Sequence, residues 1–527
     1  MLVSIFNDVI GPVMRGPSSS HCAGALRIGR LARDLMGGEM TEVLVEFDVH
    51  GSLPQTHDTQ GSDMGLFGGL MGWEADDDRL PASLRLIQEA GVRVTIVTVD
   101  VSDPHPNTYR LTLRNTREQH FLKAISTGGG MMEVVEIDGT DLSLHGDAHV
   151  TLAWSDLAPA ALADAVAPVV ADTIRCLAVG QGSLAVIADL VSLSAASLAV
   201  LGQLGVARCV RQLGPVLPVL SSQRSRVPFQ NCAELLTAEA LEPAPLWKHA
   251  VAYEAARGGL TEAEVLAKMV ALVRILKRSI AQGLAGTHYE DRVLGFQSGG
   301  FAQQMQAGRL LSAGSLNLGI LYVTALMEVK SSMGVIIAMP TAGACAALPG
   351  IVIALAEDTQ RTEEDIAKAF LAAGLMGAFI ATAWTFAAEV GGCQAEGGSA
   401  AAMAAAALVT LHGGTTPQAT AAASMAMQSM IGLICDPIAN RVEAPCLGKN
   451  VMAAANALSC ANMSLAGFDQ VIPFDEVIAT AKRVAAQMPR ELRCTSLGGL
   501  SITPTSQAIE ARLAAKRGCG SGSCGCG

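Results

Sequence analysis

The chain has 527 residues, with 36 Lys and Arg against 48 Asp and Glu, a net charge of -12. No basic tract is present, so nucleic acid is excluded as an expected partner, and the length suits two or three domains of a large enzyme. Thirteen cysteines, scattered without framework spacing, point to reduced thiols in a cytoplasm rather than disulfides, and Met1 to Asp8 carries no basic region followed by an apolar run, so no signal peptide is expected.

Residues 1–142 alternate between helix and strand signals and read as an α/β domain. Ser19 and Ser20 are placed to cap a helix whose Ile28, Leu31, Ala32 and Leu35 share one face. Thr41 to Val49 alternates as a strand with Val43, Val45, Phe47 and Val49 on one side. Val92–Val99 and Thr108–Leu113 are further strands, and Gly128-Gly129-Gly130 marks a turn before another, Met132–Ile137.

Residues 143–224 read as a small βαββαβ unit. Its strands are expected at His149–Trp154, Thr173–Val179, Ser183–Leu190 and Val206–Leu213, its helices at Pro159–Val170 and Ala195–Leu204. That order looks like an ACT-type module, which implies either an amino-acid effector site or a plain packing domain. From 225 to 517 the composition turns to Ala, Leu, Met and Gly, and helical periods dominate. Thr261 is a cap before a helix, and Thr362–Glu389 and Ser399–Leu411 are others, separated by a Gly-rich break at Gly391–Gly398. Residues 518–527 are a flexible Gly/Ser/Cys tail. The expected architecture is therefore multidomain: an α/β domain, an ACT-like domain and a large all-α domain.

Mean hydropathy is +0.38, and Ala369–Ala388 is uncharged, about the 20 residues needed to span a bilayer. It follows Glu363-Glu364-Asp365, acids suited to a helix N-terminus, and lacks an aromatic belt or basic flank. A buried central helix of a soluble domain is the expectation, a membrane transporter the rival.

Three cysteines carry the chemistry. Cys393 lies in Gly-Gly-Cys-Gln-Ala-Glu-Gly-Gly, Cys435 in Ile-Cys-Asp-Pro and Cys446 in Ala-Pro-Cys. None forms a Cys-x-x-Cys pair, which removes zinc-ribbon and thioredoxin readings. Three isolated thiols beside Gly or Pro are what an iron–sulfur cluster with one unprotected iron needs, since full ligation takes four. The bland reading, that they are small core residues, stays open on spacing alone. Cys435 and Cys446 flank Pro437 and Pro445, and so are expected on irregular backbone.

The segments around these cysteines, with Met333-Gly334 to Pro340-Thr341-Ala342-Gly343, Gly16-Pro17-Ser18-Ser19-Ser20-His21, Ile472-Pro473-Phe474-Asp475-Glu476 and Leu497-Gly498-Gly499-Leu500, resemble the iron–sulfur-dependent L-serine dehydratases over nearly the whole chain, with small and large portions fused. The resemblance implies a [4Fe–4S] cluster on Cys393, Cys435 and Cys446 and conversion of a β-hydroxy amino acid to a 2-oxo acid and ammonia, without pyridoxal phosphate. It implies catalytic roles for Ser18, Ser19, Ser20 and His21, which otherwise read as a helix cap, and substrate contacts for Ser62, Asp63, Lys330, Thr341 and Gly343. A homodimer with a small-molecule substrate and no membrane or nucleic-acid partner is expected. A sensor without turnover is the other alternative.

The chain departs from the family pattern at three places. Gln60 stands where the family has His, Cys22 where it has Thr, and Lys330 where Asn is expected, so the substrate preference is in question. Cys519, Cys524 and Cys526 in the tail are candidates to cap the open iron.

Overall fold

The computed structural model describes residues 2–16, 19–58, 61–169, 171–180, 182–203, 208–222, 224–290 and 292–518. They divide into two compact units. One is residues 12–226, and the other joins Leu2–Gly11 to the chain from Val227 onward.

The first unit holds two sheets. Across the larger one the strands run Arg93–Val99, Glu42–Asp48, Thr108–Arg114, Gln119–Gly128, Met131–Ile137 and Thr140–Leu144. Arg93–Val99 pairs parallel with Glu42–Asp48, and the other pairings are antiparallel. Val43, Val45 and Phe47 face the core as the alternation requires. Val49 does not: it is 44% exposed. The strand ends at Asp48, whose carboxylate accepts the His50 amide at 3.1 Å and turns the chain.

The smaller sheet has the order Cys209–Leu213, His149–Ser155, Gly182–Asp189, Thr173–Val179, all antiparallel. Helices Pro159–Val166 and Ala195–Gln203 complete a βαββαβ succession. The expected helix ends Val170 and Leu204 and strand start Val206 lie outside the described residues. The two sheets share one apolar core: Leu122 and Val134 from the larger pack in the same cluster as Leu152 and Val186 from the smaller.

Against the larger sheet lies helix Ser19–Leu35, whose Ile28, Leu31, Ala32 and Leu35 are buried. Ser19 and Ser20 fall in its first turn, and Ser18 lies outside the described residues. A second helix, Ser62–Leu70, packs on it. Its sequence, SDMGLFGGL, is too rich in glycine to announce a helix. The glycines serve contact instead of propensity. A Cβ at Gly65 would stand 2.1 Å from the Cys22 carbonyl oxygen, and one at Gly69 2.0 Å from that of Leu26.

The second unit is helical. Thr261 and Glu264 form a reciprocal capping box at the start of Glu262–Ala285, and Thr362 and Asp365 do the same for Glu363–Ala383. The latter ends at Trp384, short of the expected Glu389, and Ala388–Gly391 is a separate turn. It is long and apolar enough to cross a membrane, and 78% of its most apolar window is buried inside the structure. Its small residues have a packing reason. Cβ atoms at Gly374 and Gly377 would meet Ile5 Cγ2 at 2.4 Å and Val9 Cγ1 at 2.2 Å. Leu2–Gly11 thus threads against the central helix, anchored where the buried Glu254 carboxylate accepts from Ser4 Oγ and, at 2.7 Å, from the Ile5 amide.

Glycine packing gives a paired test. Gly69→Ala should lower stability by about 1–3 kcal/mol through overpacking. Gly202→Ala, in a helix with nothing within 4 Å of its Cβ position, should leave stability unchanged or raise it by up to about 1 kcal/mol. Chemical denaturation of both variants checks the signs.

Candidate active site

The second unit gathers the three cysteines from separate segments. Cys393 follows Gly392, whose φ of +68° and close neighbours, Leu433 O and Met488 Sδ each 2.9 Å from a Cβ there, require glycine. The backbone then runs through a wide helical turn, Gln394–Gly398, straight into helix Ser399–Leu411, so the expected Gly-rich break is a continuation of helix. Gln394 fixes this turn to the Cys435 loop. Its amide donates to Leu433 O at 3.0 Å, and its Oε1 accepts from the Gly432 amide at 2.9 Å.

Cys435 lies on irregular backbone, as expected. Its amide donates to Leu492 O at 2.9 Å, and its carbonyl accepts from the Cys494 amide at 3.0 Å. Cys446 differs from expectation, being the first residue of helix Cys446–Leu465. Backbone N–H groups at a helix start have no intrahelical partners and favour anions, which suits a thiolate. All three side chains are buried, at 5, 4 and 7% exposure.

The Cys435 thiol shares hydrogen bonds with the thiols of Cys393 and Cys494, and these hold it strongly protonated. Burial pushes Cys446 up to about 12. Buried thiols that resist ionisation next to cations form a site that a metal completes, because a bound metal takes thiolate and displaces the proton. The cations are Lys449 and Lys330. Lys449 Nζ lies 3.7 Å from Cys393 Sγ and 2.7 Å from both Ile434 O and Asp436 Oδ1. Burial opposes its charge, but Cys393 and Asp436 outweigh that and raise its pKa. Lys330, 4% exposed, donates to Val442 O at 2.7 Å. Desolvation lowers its pKa, against the pull of Cys446, Cys345, Glu443 and Glu396.

Glu396 completes the group. Its carboxylate lies with the Cys393 and Cys435 sulfurs inside a 4.8 Å circle. Thr341 Oγ1 donates to it at 2.8 Å, and a Cβ at Gly343 would sit 2.9 Å from both of its oxygens. Burial raises it to about 7, against the Thr341 hydrogen bond. Asn450 ties this segment to the Cys446 helix, donating to Gly343 O at 2.8 Å and Cys446 O at 2.9 Å and accepting from the Ala347 amide at 3.1 Å. The fold thus brings Lys330, Thr341 and Gly343 to the three cysteines. Three buried thiols, two lysines and a helix start are a donor set that fits an anionic iron–sulfur cluster on three cysteines.

Ser62, Asp63 and His21 belong to the first unit. Ser62 is fully buried, its hydroxyl facing the Tyr109 phenol. Asp63 Oδ2 lies 2.7 Å from His57 Nδ1, a bond that raises the His57 pKa against partial burial. Asp63 Oδ1 is buried with no hydrogen-bond partner among the described residues. His21 is partly buried, which lowers its pKa. Gln60 and the tail cysteines lie outside the described residues. Sequence reading passed over Glu396, Cys494 and His57. Glu396 sits inside the quoted Cys393 motif, and His57 stands three residues before Gln60, but Cys494 carried no local signal.

A buried multi-thiol centre on a helical scaffold, with an α/β unit beside it in the chain, is the arrangement of a candidate metal-binding enzyme. Residues 241–501 match the family model "Serine dehydratase alpha chain". The probable L-serine dehydratase alpha chain of Bacillus subtilis is 35% identical over 253 residues, 48% of this chain and 84% of that protein. The L-serine dehydratase alpha chain of Peptoniphilus asaccharolyticus is 37% identical, over 47% of this chain and 86% of its own length. The probable beta chain of B. subtilis is 40% identical over 144 residues, 27% of this chain and 64% of that protein. The chain belongs to the L-serine dehydratase family, with alpha and beta portions fused in one polypeptide.

Single Cys→Ser changes at 393, 435 and 446 should each remove the brown absorbance of anaerobically reconstituted protein and lower bound iron. Cys232→Ser, in a buried site against Thr420, should keep both. A full cluster in any of the first three variants would strike that residue from the ligand set.

Proposed function

We propose that this chain eliminates water and then ammonia from L-serine, or a related small β-hydroxy amino acid, giving a 2-oxo acid (pyruvate from serine). Family membership makes it a lyase of the L-serine ammonia-lyase type. The observation that carries the finer reading is the convergence of Cys393, Cys435 and Cys446 with Lys449 and Glu396.

Cys393, Cys435 and Cys446 would hold a [4Fe–4S] cluster, which with three protein ligands would supply a Lewis acid for the substrate's hydroxyl. The chain's own residues do the rest. Lys449 holds positive charge against the thiolates, and Asp436 and Val442 O keep the Lys449 and Lys330 amines in place. Glu396 is the proton carrier of this unit. Near neutrality it is present in both protonation states, the condition under which a carboxyl both gives and takes protons at pH 7. Protonating the departing hydroxyl as the α-proton is lost leaves an enamine, which tautomerises to an imine and is hydrolysed to the 2-oxo acid and ammonia. In the first unit the His57–Asp63 pair is a second acid–base group, with Ser62 beside it.

Two sets of variants test this on anaerobically reconstituted protein, with ammonia release as the readout. Glu396→Gln should lower kcat by about 10²–10⁴, the range for loss of a general acid or base, with iron content unchanged. His57→Gln should lower turnover likewise, whereas Gln60→Ala should have a small effect. Unchanged kcat in Glu396→Gln would reduce that carboxyl to a packing role. Lys330→Asn is expected to lower iron retention by removing a cation from beside Cys446. A changed ranking of L-serine, L-threonine and anionic β-hydroxy amino acids with iron retained would place Lys330 on the substrate instead.

A further inference from the structure

A second group of metal-binding side chains is assembled in the first unit, away in sequence from every residue of the thiol centre. Glu118, His120 and Cys209 present a carboxylate oxygen, a ring nitrogen and a sulfur within 4.8 Å of one another. Glu118 and His120 sit at the start of strand Gln119–Gly128 in the larger sheet, and Cys209 opens the edge strand Cys209–Leu213 of the smaller one. The His120 side chain is 9% exposed and its ring packs 5.4 Å from that of Trp154, the residue paired with Cys209 across the strands.

The two ring nitrogens of His120 have different surroundings. Nδ1 lies 2.7 Å from Asp138 Oδ2, and Asp138 is itself held, its Oδ1 accepting the Phe121 amide at 2.8 Å. Nε2 is buried without a hydrogen-bonded oxygen or nitrogen partner among the described residues. It faces Glu118 Oε2 at 3.6 Å and the Cys209 thiol. A histidine that ligates a metal through one nitrogen commonly donates from the other to a carboxylate, which fixes the tautomer and the ring orientation. Asp138 fills that place.

The charge balance supports a cation at the open nitrogen. Asp138 and Glu118 place carboxylate oxygens against the two ring nitrogens, at 2.7 and 3.6 Å. Arg211 opposes this: its guanidinium pairs with Glu118 Oε2 and is anchored by Nε donating to Leu35 O at 2.9 Å. With Cys209 as thiolate and His120 neutral, three anions (Glu118, Asp138, Cys209) against one arginine leave two negative charges, which a divalent ion neutralises.

We propose that Glu118, His120 and Cys209 bind a divalent metal ion of the zinc class, with Asp138 orienting the imidazole. Mixed nitrogen, sulfur and oxygen donors suit zinc, and three protein ligands leave its fourth position to water. The bound ion would clip the edge strand of the smaller sheet to the larger sheet.

The test uses the full chain, loaded anaerobically with iron, exposed to zinc chloride and desalted. Wild type should retain one zinc per chain, and zinc should raise its Tm. Cys209→Ser and His120→Gln should lose the zinc and the Tm rise with iron content unchanged, which separates this site from the thiol centre. Asp138→Asn should weaken zinc about 10–100-fold, and Arg211→Gln should bind it at least as well as wild type. Equal zinc in wild type and Cys209→Ser, or none in wild type, overturns the proposal and leaves His120 as an imidazolium between two carboxylates. Where a variant fails to fold, alkylation of Cys209 in wild type gives the answer. Zinc should block modification of the Cys209 peptide, and an unchanged rate overturns the site.

Discussion

The thiol centre depends on one partly buried ammonium group. Lys449 joins three pieces of chain: the Cys393 turn through its sulfur, the Cys435 loop through Ile434 O and Asp436, and its own helix, which begins at Cys446. Burying a lone cation costs several kcal/mol unless it is paired and hydrogen-bonded. Here every partner of the lysine belongs to the centre or to the segments that carry it. Asp436 extends the tie further, because its second oxygen accepts the Leu500 amide at 3.0 Å. Gly499, at φ +59°, lets the chain approach that close, since a Cβ there would lie 2.6 Å from Asp436 Cβ. The loop following Cys435, the helix start at Cys446 and the Gly498-Gly499 turn thus hold one another through charge rather than through apolar contact.

The same logic explains what the sequence disclosed of this centre. The isolated cysteines next to Gly and Pro stood out in the sequence, but of the three only Cys435 lies on irregular backbone: the Cys393 turn runs on into a helix and Cys446 begins one. Lys330, Thr341 and Gly343 came only through family likeness, and the fold brings them to the cysteines through Glu396 and Asn450. Glu396 itself looked like any carboxylate in a glycine-rich turn. Its chemistry is made by Thr341, 55 residues earlier in the chain, and by burial, and neither is a local property. Cys494 was invisible for the same reason: its amide bond to Cys435 O is a tertiary feature.

In the first unit, alternation located the strands where one face meets the core and failed where it does not. Gln119–Gly128, the longest strand of the larger sheet, was not foreseen, because Gln119, His120 and Lys123 interrupt its apolar residues. Helix Ser62–Leu70 was missed because glycine lowers helix propensity, although it is the residue that lets two helices touch through their backbones. The expected ends of Glu42–Asp48 and Glu363–Ala383 each overran by residues of the right polarity, Val49 in one and Ala388 in the other, that lie past a turn.

The seating of Leu2–Gly11 has a consequence for how the molecule is made. These residues are synthesised well before their partners, Glu254 and the Glu363–Ala383 helix, which follow by about 250 and 370 positions. The 215 residues of the first unit intervene. Domains commonly fold as units during synthesis, N-terminal first, so the first unit can close while the leading segment of the second waits without its pocket. Ser4, Ile5, Val9 and Ile10, all buried at the end, spend that interval exposed. The helical unit is thus the outer bracket of a nested order of assembly, completed only when both pieces of its discontinuous chain are present.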